Sequence, residues 1–258
     1  MDFNQLLTIS KEAALLAGKE IVRIYESGDF SVEAKSDSSP LTLADKASHE
    51  AIVAKLSQTG IPILSEEGKE IQFEERSKWD YFWMIDPLDG TKEFIKRNGE
   101  FTVNIALIHE GKPILGVVFT PVLNELFYAV RGEGTFKEVK GTTKKLQVNT
   151  FSMKDTGLKV VASRSHMSEE TALFIDSLPD PVIVSKGSSL KLLMIAEGQA
   201  DVYPRFAPTM EWDTAAAQII VEEAGGRVFQ KHTSESVTYN KVNLLNPHFM
   251  VVGKNGTF

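Results

Sequence analysis

Hydrophobic residues recur at intervals of three and four along the first part of the chain. From Phe3 to Tyr25 this spacing predicts an amphipathic helix that ends near Gly28. The polar segment 36–40 predicts a loop, and Thr42 predicts the N-cap of a second helix that runs to about Ser57. Two helices are therefore expected before the first strand.

Apolar runs that stop abruptly at polar residues predict strands in the middle of the chain. A short run, Pro62–Leu64, ends at Ser65-Glu66-Glu67, and a longer one, Tyr81–Ile85, ends at Asp86. Three further runs follow at 101–108, 113–120 and 126–130. Their close succession predicts an antiparallel meander.

From about Phe151 the pattern changes to short strands that alternate with helices. The predicted strands are Lys159–Ser163, Val182–Ser185 and Ala200–Tyr203, and the predicted helices are Ser168–Ser177, Ser189–Glu197 and Trp212–Ala224. This alternation is typical of α/β layering. We expect one catalytic unit over 1–258, with an α+β sub-domain (1–152) and an α/β sub-domain (153–258) that share one active site.

The segment Asp86-Pro87-Leu88-Asp89-Gly90-Thr91 carries the clearest chemical signal in the chain. Two carboxylates that end an apolar strand are costly to bury unless they are paired or bind a metal. Gly90 permits a tight turn, and Thr91 is placed to begin a helix whose free N–H groups face an anion. Oxygen ligands beside such a helix start predict a Mg²⁺ and phosphate site.

Other acidic residues stand at the ends of predicted elements, where catalytic groups commonly lie. Glu66 and Glu67 follow the first short strand, and Asp213 begins the predicted helix 212–224. Each has a plain structural alternative: Asp213 as a helix-capping residue, Glu66-Glu67 as a solvated loop end, and Asp86 with Asp89 as an ordinary turn. Taken together, they favour a metal site.

Composition narrows the class of partner. The chain has 258 residues, 42% apolar content, no cysteine and a net charge of −7. The acidic balance argues against binding a nucleic-acid polymer, and the lack of cysteine excludes disulfides and thiolate chemistry. The absence of a long apolar run or a secretory signal predicts a cytoplasmic protein with no stable membrane insertion. An acidic protein that binds a phosphate ester needs cations, which bound Mg²⁺ supplies.

A few basic residues suggest what else the substrate carries. Lys191 follows Gly187-Ser188-Ser189 at a predicted helix start and is placed to hold a second phosphate. His166 is placed to contact a nucleobase or ribose, and Arg205 adds positive charge. The structural alternatives are an exposed helix lysine and a structural histidine in a loop.

Several of these segments together resemble the inositol monophosphatase superfamily. The superfamily resemblance lies in the Asp86–Thr91 segment, in Ser65-Glu66-Glu67, and in Glu211-Trp212-Asp213-Thr214-Ala215 followed by Gly225-Gly226. The segments 91–104, 163–166, 187–191 and 203–206 are most similar to its bacterial CysQ-type 3′(2′),5′-bisphosphate nucleotidases. The resemblance implies a layered α-β-α-β-α sandwich and a lithium-sensitive, Mg²⁺-dependent phosphomonoesterase.

The same resemblance implies roles for individual residues. Glu66, Asp86 and the Leu88 carbonyl would bind one Mg²⁺, and Asp86, Asp89 and Asp213 a second. Thr91 would orient the attacking water, Asp45 would polarise Thr91, and Glu66 would help to accept the proton. The phosphate would lie against Glu66, Leu88, Asp89, Gly90, Thr91 and Asp213, and the adenosine 5′-phosphate part against Ser163, His166, Gly187 and Lys191.

The implied reaction is hydrolysis of 3′-phosphoadenosine 5′-phosphate to AMP and phosphate, with the sulfated analogue as a second substrate. Such an enzyme would clear a by-product of sulfate assimilation. Inositol monophosphate and fructose 1,6-bisphosphate are the competing substrates, and a catalytically silent Mg²⁺- or nucleotide-binding module is the alternative of another class. The family also leaves open a monomer or a homodimer, and a location at the cytoplasmic face of the inner membrane.

Overall fold

The computed structural model describes residues 1–28, 32–34, 40–162 and 167–254. Its helices are α1 (Phe3–Ser27), α2 (Leu43–Leu56), α3 (Phe73–Arg76), α4 (Thr91–Ile95), α5 (Glu169–Asp176), α6 (Leu190–Ala196) and α7 (Ala215–Glu223). Its strands are β1 (Glu33–Ala34), β2 (Pro40–Leu41), β3 (Ile63–Ser65), β4 (Tyr81–Asp89), β5 (Thr102–His109), β6 (Lys112–Thr120), β7 (Glu125–Val130), β8 (Gly134–Val139), β9 (Thr142–Lys145), β10 (Lys159–Val161), β11 (Val182–Val184), β12 (Val202–Arg205), β13 (Arg227–Gln230) and β14 (Phe249–Val252).

The first large sheet follows chain order. Its seven strands run β3-β4-β5-β6-β7-β8-β9, with β3 and β4 parallel and every other pair antiparallel. The predicted meander from β5 to β7 is therefore confirmed, and β8 and β9 extend it. The β3–β4 pairing brings the ends of both strands to one edge of the sheet, where Ser65 pairs with Ile85.

The second sheet has five strands in the order β11-β10-β12-β14-β13. Its first three strands are parallel, and β14 joins β12 and β13 in antiparallel pairs. The parallel strands come from the alternating strand and helix pattern of the second half. The last two, β13 and β14, were not predicted from the hydrophobic pattern.

Three hydrophobic clusters separate the layers of the molecule. The helices α1 and α2 pack on one face of the first sheet through Ile21, Ile52 and Trp83. The helices α6 and α7 fill the space between the two sheets. The outer face of the second sheet packs against α5 around Ile175. The order is helix, sheet, helix, sheet, helix, as the family resemblance implies.

Close packing in the middle layer depends on one glycine of the first sheet. A Cβ at Gly116 of β6 would lie 2.4 Å from the Ala216 carbonyl oxygen of α7. Because that oxygen belongs to the backbone, a side chain there would push the helix off the sheet. The position of α7, and of the turn that leads into it, follows from this contact.

Most predicted helices lie within a few residues of their observed bounds, with one difference that matters for the site. The predicted helix 212–224 begins only at Ala215, so Asp213 lies in the turn before α7. Among the ranges that the structure describes, no helix combines the length and the apolar character required to cross a bilayer.

Candidate active site

The end of β4 departs from regular strand geometry at the two predicted aspartates. Asp86 pairs with Asn104 of β5 and Asp89 pairs with Thr102, so β4 has one more residue than β5 over this interval, and the register shifts. The Leu88 amide donates to Asp86 Oδ1 at 3.0 Å. This bulge is what presents the carboxylates at the sheet edge instead of along a regular ladder.

Glycine at the next position allows the chain to leave the bulge. Gly90 has φ of +96° and is the N-cap of the short helix α4. A Cβ there would lie 3.1 Å from the Glu100 carbonyl oxygen. Any other residue would therefore meet both an unfavourable backbone conformation and a crowded neighbour.

Three carboxylates from separate parts of the chain converge beside the bulge. Glu66 follows β3, Asp86 lies on β4 and Asp213 precedes α7, and one oxygen of each lies within 4.8 Å of the others. Among the residues that the structure describes, these three acidic side chains are spaced closely enough to hold a metal ion between them. Glu67, the neighbour of Glu66, is not part of the group. The parallel β3–β4 pairing explains why Glu66 and Asp86 meet.

Burial makes it unfavourable for all these carboxylates to be ionised together. Burial raises the pKa of Asp86 well above its ordinary value, and the charges of Glu66, Asp89 and Asp213 raise it further. Burial and the charge of Asp89 raise the pKa of Asp213 to about 8. A positive charge placed among the oxygens would relieve this repulsion, and oxygen-only donors suit Mg²⁺.

Asp213 is not the cap of the helix that follows it. Thr214 occupies the N-cap position of α7. The Asp213 carboxylate instead accepts a hydrogen bond from the Met210 amide at 2.9 Å. The plain helix-capping alternative for Asp213 is therefore wrong, since its side chain closes a turn and reaches the carboxylate group.

A second pair of predicted residues meets across the site. Thr91 Oγ1 donates to Asp45 Oδ1 at 3.1 Å and lies 3.3 Å from the Leu88 carbonyl oxygen. Asp45 is buried, and its other oxygen accepts hydrogen bonds from the Thr42 amide and hydroxyl at 2.7 and 2.6 Å. Asp45 therefore completes the capping box of α2 and also binds Thr91.

Asp89 is directed toward the second half of the molecule. Its Oδ2 accepts hydrogen bonds from the Ser188 hydroxyl at 2.6 Å and from the Ser189 amide at 2.5 Å. Asp89 is thus outside the three-carboxylate group, although its charge acts on both Asp86 and Asp213. Its role as a metal ligand stays a prediction.

Gly187, predicted to contact substrate, lies in a crowded position. Its amide donates to Glu100 Oε2 at 2.8 Å. A Cβ at Gly187 would lie 2.8 Å from Glu93 Cγ and 3.0 Å from the Glu100 carbonyl oxygen. The glycine therefore allows the loop before α6 to lie against α4 and the segment after it. Its N–H group already donates a hydrogen bond to Glu100.

A cavity of about 180 Å³ joins the carboxylates to the predicted basic residues. Asp89 and Asp213 line it together with Lys191 and Arg205. Lys191 Nζ donates to the Ser188 carbonyl at 3.2 Å, and Arg205 Nη2 donates to the Pro208 carbonyl at 2.8 Å. Ser163 and His166, the other predicted substrate contacts, lie outside the described residues.

Sequence reasoning did not assign any role to the polar residues behind Asp89. Thr102 and Asn104 are fully or almost fully buried on β5 and face the loop of Ser188 and Ser189. Polar residues that begin an otherwise apolar strand, Thr102-Val103-Asn104-Ile105, were the available signal. Their partners lie more than eighty residues away in the chain, so spacing alone could not identify them.

Comparisons with known proteins agree with this geometry. Residues 2–253 match the model of the Inositol monophosphatase family. The chain is 44% identical over 238 residues to the 3′(2′),5′-bisphosphate nucleotidase CysQ of Salmonella typhimurium, covering 91% of this chain and 94% of that protein. It is 38% identical over 254 residues to the protein of the same name from Haemophilus influenzae, covering 97% and 92%.

Solved structures give the same result. The crystal structure of CysQ from Bacteroides thetaiotaomicron, described as a bacterial member of the inositol monophosphatase family, has a TM-score of 0.86, 45% identity and 98% coverage of both chains. A Thermotoga maritima IMPase has a TM-score of 0.78 and 26% identity, with 98% of this chain and 92% of that chain covered. This chain belongs to the inositol monophosphatase family.

Proposed function

We propose that this protein is a Mg²⁺-dependent phosphomonoesterase that hydrolyses 3′-phosphoadenosine 5′-phosphate to AMP and phosphate, with the sulfated analogue as a second substrate. The observation that carries the proposal is the meeting of Glu66, Asp86 and Asp213 beside the Thr91–Asp45 pair. The name shared by relatives that cover most of the chain supports the choice of substrate.

The residues present suit a bound magnesium ion. Glu66, Asp86 and the Leu88 carbonyl would hold one Mg²⁺, and Asp86, Asp89 and Asp213 would hold a second. When bound, such ions supply positive charge that makes water a stronger nucleophile and offsets the charge of the phosphate. The raised pKa values of Asp86 and Asp213 support this, because these carboxylates are unfavourable as anions without a cation.

Thr91 and Asp45 have the geometry needed to orient a water molecule. Because the Thr91 hydroxyl proton is donated to Asp45 Oδ1, the lone pairs of Thr91 Oγ1 are left to accept a hydrogen bond from water. The two bonds from Thr42 fix Asp45 so that its Oδ1 stays the acceptor. Glu66 would take the proton as the water oxygen bonds to phosphorus.

In the proposed reaction the water attacks phosphorus in line with the ester oxygen of the ribose 3′ position. The bond from phosphorus to that ester oxygen breaks, and the leaving oxygen takes a proton to become the 3′ hydroxyl of AMP. No enzyme group needs to bond covalently to phosphorus.

The cavity beside the carboxylates supports a substrate with a second anionic group. Lys191 and Arg205 line it together with Asp89 and Asp213. A phosphate would bind Lys191 and Arg205 through charge-assisted hydrogen bonds, while the reacting phosphate lies at the carboxylates. Inositol 1-phosphate offers no second phosphate, and fructose 1,6-bisphosphate offers no base.

The test is a phosphate-release assay on a panel of substrates with Mg²⁺. We expect the highest kcat/KM for 3′-phosphoadenosine 5′-phosphate, with inositol 1-phosphate and fructose 1,6-bisphosphate well below it. Faster turnover of inositol 1-phosphate would overturn the choice of substrate. Binding of the nucleotide without phosphate release would instead support the silent binding module. A cytoplasmic monomer or homodimer remains the prediction for the whole protein.

A further inference from the structure

Four polar residues, three of them buried, form a connected group behind Asp89, at the seam between the two halves of the molecule. We call Thr102, Asn104, Ser188 and Ser189 the hydroxyl cluster. Thr102 Oγ1 lies 2.8 Å from both Ser188 Oγ and Ser189 Oγ, and Ser189 Oγ donates to Asn104 Oδ1 at 3.0 Å. Thr102, Asn104 and Ser189 are at most 2% exposed.

The hydrogens of the cluster can be assigned from its acceptors. The Ser188 hydroxyl donates to Asp89 Oδ2, because a carboxylate oxygen only accepts. The Ser189 hydroxyl donates to Asn104 Oδ1. Each of the three hydroxyls has one proton, so Thr102 donates to Ser188 Oγ and the Ser189 proton is shared between Asn104 Oδ1 and Thr102 Oγ1. Thr102 is therefore the residue that connects both serines from the side of β5.

The loop backbone also converges on the same carboxylate oxygen. Ser188 has φ of +55°, a left-handed conformation that is uncommon for a residue other than glycine. In this conformation both the Ser188 hydroxyl and the Ser189 amide donate to Asp89 Oδ2. A strained backbone of this kind persists where the surroundings hold it, and the hydroxyl cluster supplies that support.

The strand register places Thr102 where it can act on Asp89. Thr102 pairs with Asp89 across the β4–β5 ladder, directly after the bulge that follows Asp86. Asp89 is thus held from two directions, by its own strand and by the loop that Thr102 binds. Both donors act on Oδ2, so the plane of the carboxylate, and with it the direction of Oδ1, is fixed by this arrangement.

We propose that Thr102 is a positioning residue, which orients the Asp89 carboxylate toward a divalent cation by holding Ser188 and Ser189 against it. The proposal rests on the proposed function only in taking Asp89 as part of the cation site. Loss of partners that orient a metal ligand typically costs about 10- to 100-fold in metal affinity. The Thr102 hydroxyl acts without touching cation or substrate.

The experiment measures Mg²⁺ binding by calorimetry in the absence of any substrate. Thr102→Val removes the hydroxyl and keeps the branched shape. We expect it to weaken Mg²⁺ binding at the site that includes Asp89 by about tenfold. Thr102→Ser restores the hydroxyl and should bind within about twofold of the wild type. Ser188→Gly accepts the positive φ and removes the direct donor, and should weaken binding to the same degree.

Two comparisons separate positioning from a general loss of stability. Thr135→Val is the matched control, because Thr135 is also buried on the first sheet and its hydroxyl also makes an internal hydrogen bond, to the Ile220 carbonyl at 2.6 Å. It should lower the melting temperature and leave Mg²⁺ binding unchanged. The double variant Thr102→Val with Ser188→Gly should bind Mg²⁺ no more weakly than either single variant. Both substitutions break the same connection, which runs from Thr102 through Ser188 to Asp89.

Wild-type Mg²⁺ affinity in both Thr102→Val and Ser188→Gly would overturn the proposal. So would an additive loss in the double variant, because it would mean that the two residues act separately. If wild-type protein binds Mg²⁺ but releases no phosphate from 3′-phosphoadenosine 5′-phosphate, the proposed function fails while the binding comparison still decides the role of Thr102.

Discussion

The two sides of the active site differ in how their polar groups are satisfied. On the side of the first sheet, Asp45 is buried and both of its oxygens accept hydrogen bonds. On the side of the second sheet, Lys191 and Arg205 are partly exposed along a cavity, and Arg205 Nε has no hydrogen-bond partner among the described residues. The first side is preorganised for chemistry, whereas the second has charge to offer a ligand.

This difference suggests that reaction and substrate choice are separable. Groups that orient water and phosphate must be held in place before the transition state, which requires internal partners. Groups that bind a remote part of the substrate need only offer a charge, or a donor without a partner among the described residues such as Arg205 Nε. Substitutions on the first side should therefore lower kcat, and substitutions on the second should mainly raise KM.

The largest expected effect is on the first side, at Thr91. Thr91→Ala removes the hydroxyl that donates to Asp45 and should lower kcat by about 10²- to 10⁴-fold. Since Gly90 and not Thr91 is the N-cap of α4, the melting temperature should change little. Steady-state kinetics and a thermal melt test both points. Thr91→Ser should keep most of the activity, and a loss that merely tracks the folded fraction would contradict the assignment.

The matching change on the second side is Lys191→Gln. We expect it to raise KM for 3′-phosphoadenosine 5′-phosphate by about 10- to 100-fold with kcat nearly unchanged, because a charged hydrogen bond to the second phosphate is lost. Lys186→Gln is the control, since Lys186 is exposed on the same loop and pairs with Glu100. If kcat falls and KM does not, the separation between the two sides is wrong.

A third test concerns the ionisation of the carboxylates. The pKa of Asp213 is raised from 3.8 to about 8 in the folded chain, so between these values the folded state holds a proton that the unfolded state releases. Without divalent cations, this group makes the free energy of unfolding fall as pH rises toward 8, and its contribution levels off above that pH.

Added Mg²⁺ should therefore raise the melting temperature more at pH 8 than at pH 5. Calorimetry with EDTA or with Mg²⁺ across this range is the measurement. In Asp213→Asn the side chain at that position cannot ionise. In EDTA, the free energy of unfolding of this variant should therefore decline much less with pH than that of the wild type. An equal decline in the variant and the wild type would show that other groups cause it.

The smallest expected effect is on stability, at Asp45. Asp45→Asn keeps only one oxygen for both Thr42 and Thr91, so the capping box of α2 is weakened by about 1 kcal/mol. Asp2→Ala, which removes the cap of α1, should cost a similar amount and leave kcat unchanged. Chemical denaturation measures the stability change, and steady-state kinetics should show a fall in kcat for Asp45→Asn alone. A comparable loss of kcat in Asp2→Ala would contradict our expectation.

Part of the fold could be predicted because its signals are local. The spacing of apolar residues identified α1, and Thr42 identified the start of α2, where its side chain does cap the helix. The start of α7 was predicted three residues early, because Trp212 is apolar but lies in a turn that Asp213 closes by binding Met210. A hydrophobic pattern cannot distinguish such a turn from the first turn of a helix.

The strands at the end of the chain illustrate the opposite case. The strand β14 lies between β12 and β13, and its pairing with both is antiparallel. Short apolar stretches such as Phe249–Val252 become strands only when neighbours supply hydrogen-bond partners, and those neighbours are distant in sequence. Their assignment therefore depended on the tertiary structure.

The sequence by itself determined the chemical character of the site. The aspartates of 86–91, the nearby glutamate and the absence of cysteine pointed to oxygen ligands and a phosphate, because residue type limits what a group can bind. Only the tertiary structure decided that Glu66, Asp86 and Asp213 meet, and that Asp89 Oδ2 accepts hydrogen bonds from Ser188 and Ser189. The physical reason is that hydrogen bonds and charge repulsion act over a few ångströms, and only folding decides which residues come that close.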